Sequence, residues 1–398
     1  MNMIKERVNI SDVLFFQEGP GVRNTQYTTA GVKLLNVANL VDGNIDLSTS
    51  DRYISEDEAY GKYSHFLCDD GDFIVASSGI KVEYIDKKMG FVDSSMLPLC
   101  MNTSTIRFKV LDSEKLNIRY FMYYLKSQDF KNQLAVHITG SAQLNYGPSH
   151  LKKMTMPIVV INEQEKIVNI LNKVNKVIAT RKQQLQQLDE LVKARFVEMF
   201  GEPVSNPRGF DKVPLSELAD IKIGPFGSLL HKEDYIENGH ALLNPSHIID
   251  GKVAPDNKLT VSPQKYEELS AYHLKTGDVV MGRRGEMGRC AVVPCDGYLC
   301  GTGSLMIRTK GAVTADYIQK ILSFPSFKKT IEDMAVGQTM PNLNVPIVSN
   351  FQIIKPPLEV QESYYTFVEQ VDKSKFVVQK ALDEAQTLFD SLMQEYFG

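Results

Sequence analysis

The chain contains no apolar run of about 18 residues, so nothing in it reads as a membrane span. Its opening residues, MNMIKERVNISDV, lack the apolar core of a secretory signal. The five cysteines (68, 100, 290, 295 and 300) are odd in number and include no CxxC pair, which argues against a disulfide framework and for a reducing cytoplasm. Cys290, Cys295 and Cys300 are evenly spaced, yet no histidine stands at ligand spacing from them. Buried free thiols are therefore expected rather than zinc. No GxxxxGK[ST] phosphate loop occurs, because Gly61–Lys62 and Gly251–Lys252 run into Tyr and Val. The Asn/Asp-Pro-Pro-Tyr motif of an amino-methyltransferase is also missing, since Lys355 precedes Pro356–Pro357. The histidines at 65, 137, 150, 231, 240, 247 and 273 form no i, i+4 pair. One nuclease-like pattern remains, Asp72 followed by Asp86-Lys87-Lys88, which reads equally as a charged hairpin turn. Neither a catalytic set nor a cofactor site is expected.

What the chain does hold is length and order. Its 398 residues, 43% hydrophobic, allow two or three cored domains. A charged fraction of 23% and a net charge of −4 are ordinary and argue mildly against nucleic acid. The local balance differs. From Lys275 to Lys310 there are six bases (Lys275, Arg283, Arg284, Arg289, Arg308, Lys310) against three acids (Asp278, Glu286, Asp296), so a basic face remains open.

The chain is organised around Asn162 to Pro203. Apolar residues fall at Ile167, Leu171, Val174, Ile178, Leu185, Leu188, Val192 and Met199, in steps of four and three, interrupted only by Arg181 and Arg195. That spacing draws a narrow coiled-coil seam along one helix, on the order of 55 Å long. Gly201 and Pro203 end it. A helix with so narrow a stripe needs a partner, and Gln361 to Gly398 supplies one. Shifted by 197 positions, Gln164–Glu165 falls on Gln361–Glu362, Val174 on Val371, Leu185 on Leu382 and Phe200–Gly201 on Phe397–Gly398. The second seam runs through Tyr364, Val368, Val371, Lys375, Val378, Leu382, Ala385, Phe389, Leu392 and Tyr396. Lys375 stands where the first repeat has Ile178, and Val378 where it has Arg181. Unequal seams suit pairing within one chain better than a homodimer.

The segments between the helices repeat as well. Gly31, Leu34-Leu35-Asn36 and Asp42-Gly43 return as Gly239, Leu242-Leu243-Asn244 and Asp250-Gly251. Strands are expected near Val32, over the stretch from Asp70 to Ile85, and from Ser104 to Val110. A helical stretch from Leu116 to Ile138, broken near Ser127–Gln128, returns as VTADYIQKILSFPSFKKTIEDMAV. The order is domain, helix, domain, helix. The fold class is α+β, with two globular mixed α/β domains (1–160 and 204–358) separated by two long antiparallel coiled-coil helices (161–203 and 359–398).

NEQEKIV and LDELVKARFVEMFGEP on the central helix, GPFGSLL at Gly224, GRRGEMG at Gly282 and GTGSL at Gly301 resemble the DNA-specificity subunit of Type I restriction–modification enzymes. The resemblance covers essentially the whole chain. It implies two target-recognition domains, each reading one half of a bipartite site in double-stranded DNA. It further implies two flanking methyltransferase subunits that carry S-adenosylmethionine and methylate adenine, and a separate ATP-driven motor subunit that cuts. Outer helix residues such as Gln183, Gln184, Gln187 and Lys193 would face the methyltransferase subunits.

DNA-reading residues are sought among polar side chains on loops, because Arg pairs with guanine, Asn or Gln with adenine, and Lys, Ser or Thr with phosphate. In the first domain these are Arg23, Asn24, Lys33, Asn36, Lys81, Gln143, Asn145 and Tyr146. In the second they are Ser228, His231, Lys232, Asn244, His247, Arg283, Arg284, Arg289, Gln338 and Asn342, with Arg283–Arg284 a paired tip between Gly282 and Gly285. A solvated loop or a turn cap is the competing expectation for each, above all for the repeated Asn36 and Asn244. Two other readings stay open: a scaffold that uses the same helices without reading DNA, and a metal-dependent nuclease acting through Asp86. Target bases and spacer length are not legible.

Overall fold

A computed structural model describes residues 5–137, 145–226, 228–285, 287–335 and 342–398. The chain divides into two compact units, residues 1–183 with 378–398 and residues 184–377. In unit 1 the main strands are β1 (Leu14–Glu18), β2 (Phe73–Ala76), β3 (Met89–Phe91) and β4 (Thr105–Val110), followed by α1 (Ile118–Lys126), α2 (Gln128–His137) and the long α3 (Ile161–Phe200). The strands form an antiparallel sheet in the order β1-β4-β2-β3. Unit 2 repeats it with β5 (Ala219–Ile223), β6 (Val279–Gly282), β7 (Cys290–Val292) and β8 (Ser304–Thr309) in the order β5-β8-β6-β7. Helices α4 (Ala315–Leu322), α5 (Pro325–Met334) and the long α6 (Leu358–Phe397) follow.

Local chemistry sets these boundaries. Asn117 Oδ1 accepts from Arg119 N–H and opens α1, while Ser127 Oγ accepts from Phe130 N–H and starts α2 afresh. In the repeat Thr314 Oγ1 caps α4, and Pro325 takes the first position of α5. Gly201, at φ 78°, stops α3. Of the short strands expected around Asp70 to Ile85, one forms, Phe73–Ala76. Past Ala76 the backbone leaves the sheet at Gly79 (φ 77°) and coils into a 3₁₀ segment, Val82–Lys87. Asp86 to Lys88 thus lies in the connection between two antiparallel strands.

Each unit has an aromatic core between its sheet and the long helices. In unit 1 the Phe73, Phe108, Phe121 and Tyr120 rings pack with Ile167 and Leu171 of α3 and with Phe397 of α6. In unit 2 Phe196 and Phe200 of α3 meet Tyr364 of α6 at centroid distances of 5.5 and 5.4 Å, and Tyr317 of α4 completes the group. Burying each such ring contributes about 1.5–3 kcal/mol. Because the start of α3 lies with the end of α6 in unit 1, and the reverse in unit 2, the two helices run antiparallel. Lys375, the base in the second seam, is not left in an apolar contact, since its Nζ lies 2.6 Å from Asp189 Oδ1.

The carboxylates of the nuclease-like pattern are engaged elsewhere. Asp72 is buried against Arg107 and Lys109, both at 3.2 Å, and Asp86 faces Lys131 at 3.5 Å. Among the described residues no group of three or more His, Cys, Asp or Glu is placed to hold a metal. Four of the cysteines are buried, but Cys295 is exposed, because it sits in the turn between β7 and the next strand. Among the described residues no helix is long and apolar enough to cross a membrane.

Candidate nucleic-acid interface

In each unit three strands of the main sheet reach one edge together, and the loops there hold most of the candidate residues. In unit 1 this edge carries the end of β1, the end of β2 and the start of β4. Gly19 N–H donates to Thr105 O at 2.9 Å, and Ser77 N–H donates to Ser104 O at 2.8 Å. The segment after the undescribed residues 138–144 joins them, since Tyr146 N–H donates to Ser77 O and Asn145 bridges Ser78. Unit 2 reproduces the set bond for bond. Gly224 N–H donates to Ser304 O, Arg283 N–H to Gly303 O and Leu343 N–H to Arg283 O, each at 3.0 Å. The bridge returns as Arg284 with Asn342. Gly19 and Gly224 are required at this edge, because a Cβ on either would collide with the carbonyl oxygen of Asn102 or Gly301.

The polar candidates divide on burial. Arg23, Asn24, Lys81, Asn145, Ser228, His231, Lys232 and Arg284 are exposed. Lys81 borders a pocket of about 520 Å³ with Tyr84, Lys87 and Lys88. Lys33 is half-buried and paired with Asp51 Oδ1 at 3.1 Å. Gln143 and Gln338 lie outside the described residues. Asn36 is buried: its Oδ1 accepts from Asn102 Nδ2 at 2.7 Å, and its Nδ2 donates to Leu34 O and Ser50 Oγ. His247 is buried too, with Nδ1 2.7 Å from Leu242 O and 3.2 Å from Asn244 N. Asn244, half-buried, accepts from Gly303 N–H at 3.4 Å. These three hold turns at the edge, and two of them, Asn36 and Asn244, stand at equivalent positions of the two units. Tyr146 belongs to the unit 1 core, and burial, with Glu18 nearby, pushes its hydroxyl well above the usual range.

The paired tip splits in character. Arg284 is exposed, whereas Arg283 is 8% exposed and donates from Nε to Thr302 O at 3.2 Å. Burial, and then the charge of Arg284, holds the Arg283 guanidinium below its usual range. Among the described residues neither arginine pairs with a carboxylate. Arg289 reaches Pro245 O at 3.4 Å and lines a pocket of about 380 Å³ with Asp250, Gln319 and Lys328. Asn342 Oδ1 is buried without a hydrogen-bond partner among the described residues. Two adjacent cations at one edge, Arg284 exposed and Arg283 behind it, suit an anionic polymer. Sequence reasoning passed over Phe226, which stands 65% exposed on the loop after β5. Aligning Gly19–Pro20 with Gly224–Pro225 would have placed it on the loop equivalent to the one carrying Arg23.

Comparison with known proteins bears on the family and the duplicated fold. The family model for the Type I restriction modification DNA specificity domain matches twice, over residues 21–190 and 207–385. Two relatives from Methanocaldococcus jannaschii are similar: the Type I restriction enzyme MjaVIII specificity subunit (21% identical) and the MjaIX specificity subunit (22%), each over 77% of this chain and 73% of its own length. Among solved structures, a chain from work on complex assembly and conformational transition of the type I R-M system superposes with a TM-score of 0.64 at 17% identity, covering 100% of this chain and 99% of that one. The S subunit of a Type I restriction–modification system from M. genitalium gives 0.55 at 16%, covering 100% and 97%. With both halves matched by one model and built on one topology, the chain belongs to the Type I restriction–modification DNA specificity family.

Proposed function

We propose that this chain is a non-catalytic specificity subunit that reads a split DNA site, one half-site for each unit, and directs adenine N6 methylation by partner subunits. The observation that carries the reading is the edge built twice from equivalent backbone bonds, with Arg283 and Arg284 lacking a carboxylate partner among the described residues of unit 2. Side chains on those loops supply sequence readout, and backbone N–H groups and lysines set register on phosphate. The two long helices serve as a ruler, setting the half-sites about one DNA turn, 34–36 Å, apart.

Two methyltransferase subunits holding S-adenosylmethionine are the partners, with an ATP-driven motor subunit where cleavage accompanies methylation. Exposed apolar residues on the long helices support such docking: Ile170 and Val177 in unit 1, and Phe376, at 72% exposure, and Val377 in unit 2. The test is single-molecule methylome sequencing of cells carrying this chain and its neighbouring methyltransferase, against a deletion of this chain. The expected result is a split motif bearing N6-methyladenine that disappears on deletion. A methylome that is unchanged on deletion would put the scaffold reading ahead.

A further inference from the structure

The loop after β5 carries an apolar side chain where the rest of the edge is polar. Phe226 is 65% exposed and Leu229 43% exposed, and Leu229 N–H closes a turn onto Phe226 O at 2.9 Å. The loop leaves the sheet at Gly224, which is bound to Ser304 O and packed so closely on Gly301 that no Cβ fits. The ring is therefore presented from a fixed base rather than on a free tether. Strand register places that base at the same edge as the arginine tip, one strand across β8: Ile223 pairs with Leu305, and Gly282 pairs with Ser304. Ser228, His231 and Lys232 follow within the same exposed loop.

An exposed Phe has a standing cost in water, and nothing among the described residues of unit 2 covers this one. Two apolar side chains make too small a patch for a protein interface, which needs several hundred Å² on each side. Exposed bases lie on the same loop, Lys232 ahead of Glu233 and Asp234, and on the arginine tip, Arg284, and such bases attract a polyanion. The occupant that combines a polyanionic surface with flat apolar faces is duplex DNA, where Phe meets a thymine methyl or enters an unstacked base step.

Resting on the specificity reading above, we infer that Phe226 contacts a base of the half-site read by unit 2 and is a specificity-determining residue, with Leu229 backing the ring. Unit 1 has Gly21 and Val22 after its own Gly19–Pro20, and Val22 is buried, so only the second half-site is read this way.

The test uses the complete complex of this chain with its methyltransferase partner, as wild type, Phe226→Ala and Phe226→Leu. Affinity is measured for duplexes carrying the split motif and for duplexes with either half scrambled, at several salt concentrations. Phe226→Ala is expected to reduce preference for the intact second half-site by roughly ten-fold or more. Preference for the first half-site stays, the slope against salt stays because no phosphate contact is lost, and Phe226→Leu falls between. Thermal melting should not change, since the side chain is exposed. Unaltered discrimination in Phe226→Ala, or equal weakening on intact and scrambled DNA, would overturn the inference. A wild-type complex without preference for either half would instead overturn the specificity reading itself, and the inference with it.

Discussion

Gln164 sits fully buried near the start of α3 with every polar atom of its amide engaged. Its Oε1 accepts from Asn117 N–H at 2.9 Å, and its Nε2 donates to Lys115 O at 2.8 Å and Val159 O at 2.7 Å. Gln361, 197 positions on, does the same work in unit 2, accepting from Thr314 N–H and donating to Pro356 O, both at 2.9 Å. One amide thus ties the helix start to the cap of the neighbouring helix and to the chain entering the long helix, which explains why this glutamine recurs where most of the seam has drifted. Replacing Gln164 with Leu keeps the bulk but leaves a buried N–H and two carbonyls without partners. The expected loss is about 2–4 kcal/mol by chemical denaturation. Gln187→Leu, on an exposed face, serves as the control and should shift stability by less than about 0.5 kcal/mol. Equal losses in both would show that the buried bonds contribute nothing special.

At the scale of elements the long helices matter most. Neither contains Pro or an internal Gly, and each keeps apolar residues turned toward the other within each unit. A ruler made of helix has a measurable gauge. Inserting seven helix-forming residues after Gln183 and seven after Val377 keeps the heptad phase and adds about 10 Å to each helix. The preferred spacer between half-sites should lengthen by about three base pairs at 3.4 Å each, with both half-sites unchanged, as read from the methylated motif. A spacer preference that stays fixed would refute the ruler. These helices and the duplication were legible because a period of three and four, and a repeat at 197, are properties of the chain alone. The loops were less legible. Asn36, His247 and Tyr146 are polar residues in loop-like sequence, and only tertiary packing turns them inward. The reverse held for Phe226: a phenylalanine among glycines reads as core until the fold leaves it in solvent.

The whole molecule is one plan executed twice with different loops. Both units keep the four-stranded order, the strand-end bonds, the buried glutamine and a tyrosine hydroxyl (Tyr120 to Pro157 O, Tyr317 to Ile354 O). Side-chain chemistry changes on that frame: Ser77–Ser78 in unit 1 becomes Arg283–Arg284 in unit 2. Modularity of this kind predicts that exchanging residues 1–160 for those of another family member replaces one half-site only. Sequencing the methylated motif of the chimaera checks this, and a change in both halves would contradict it.

Unit 1 takes its last piece from the far end of the sequence. Phe397 packs on Tyr120 at 5.0 Å, and Lys5 Nζ donates to Glu395 O at 2.6 Å, whereas unit 2 is one unbroken stretch ending at Val377. During synthesis the later unit is therefore complete first. The earlier one is held with its aromatic core open while roughly two hundred further residues are made, reversing the usual order in which domains fold as they emerge. Truncation near the C-terminus would cripple the half of the protein made first and leave the half made second intact.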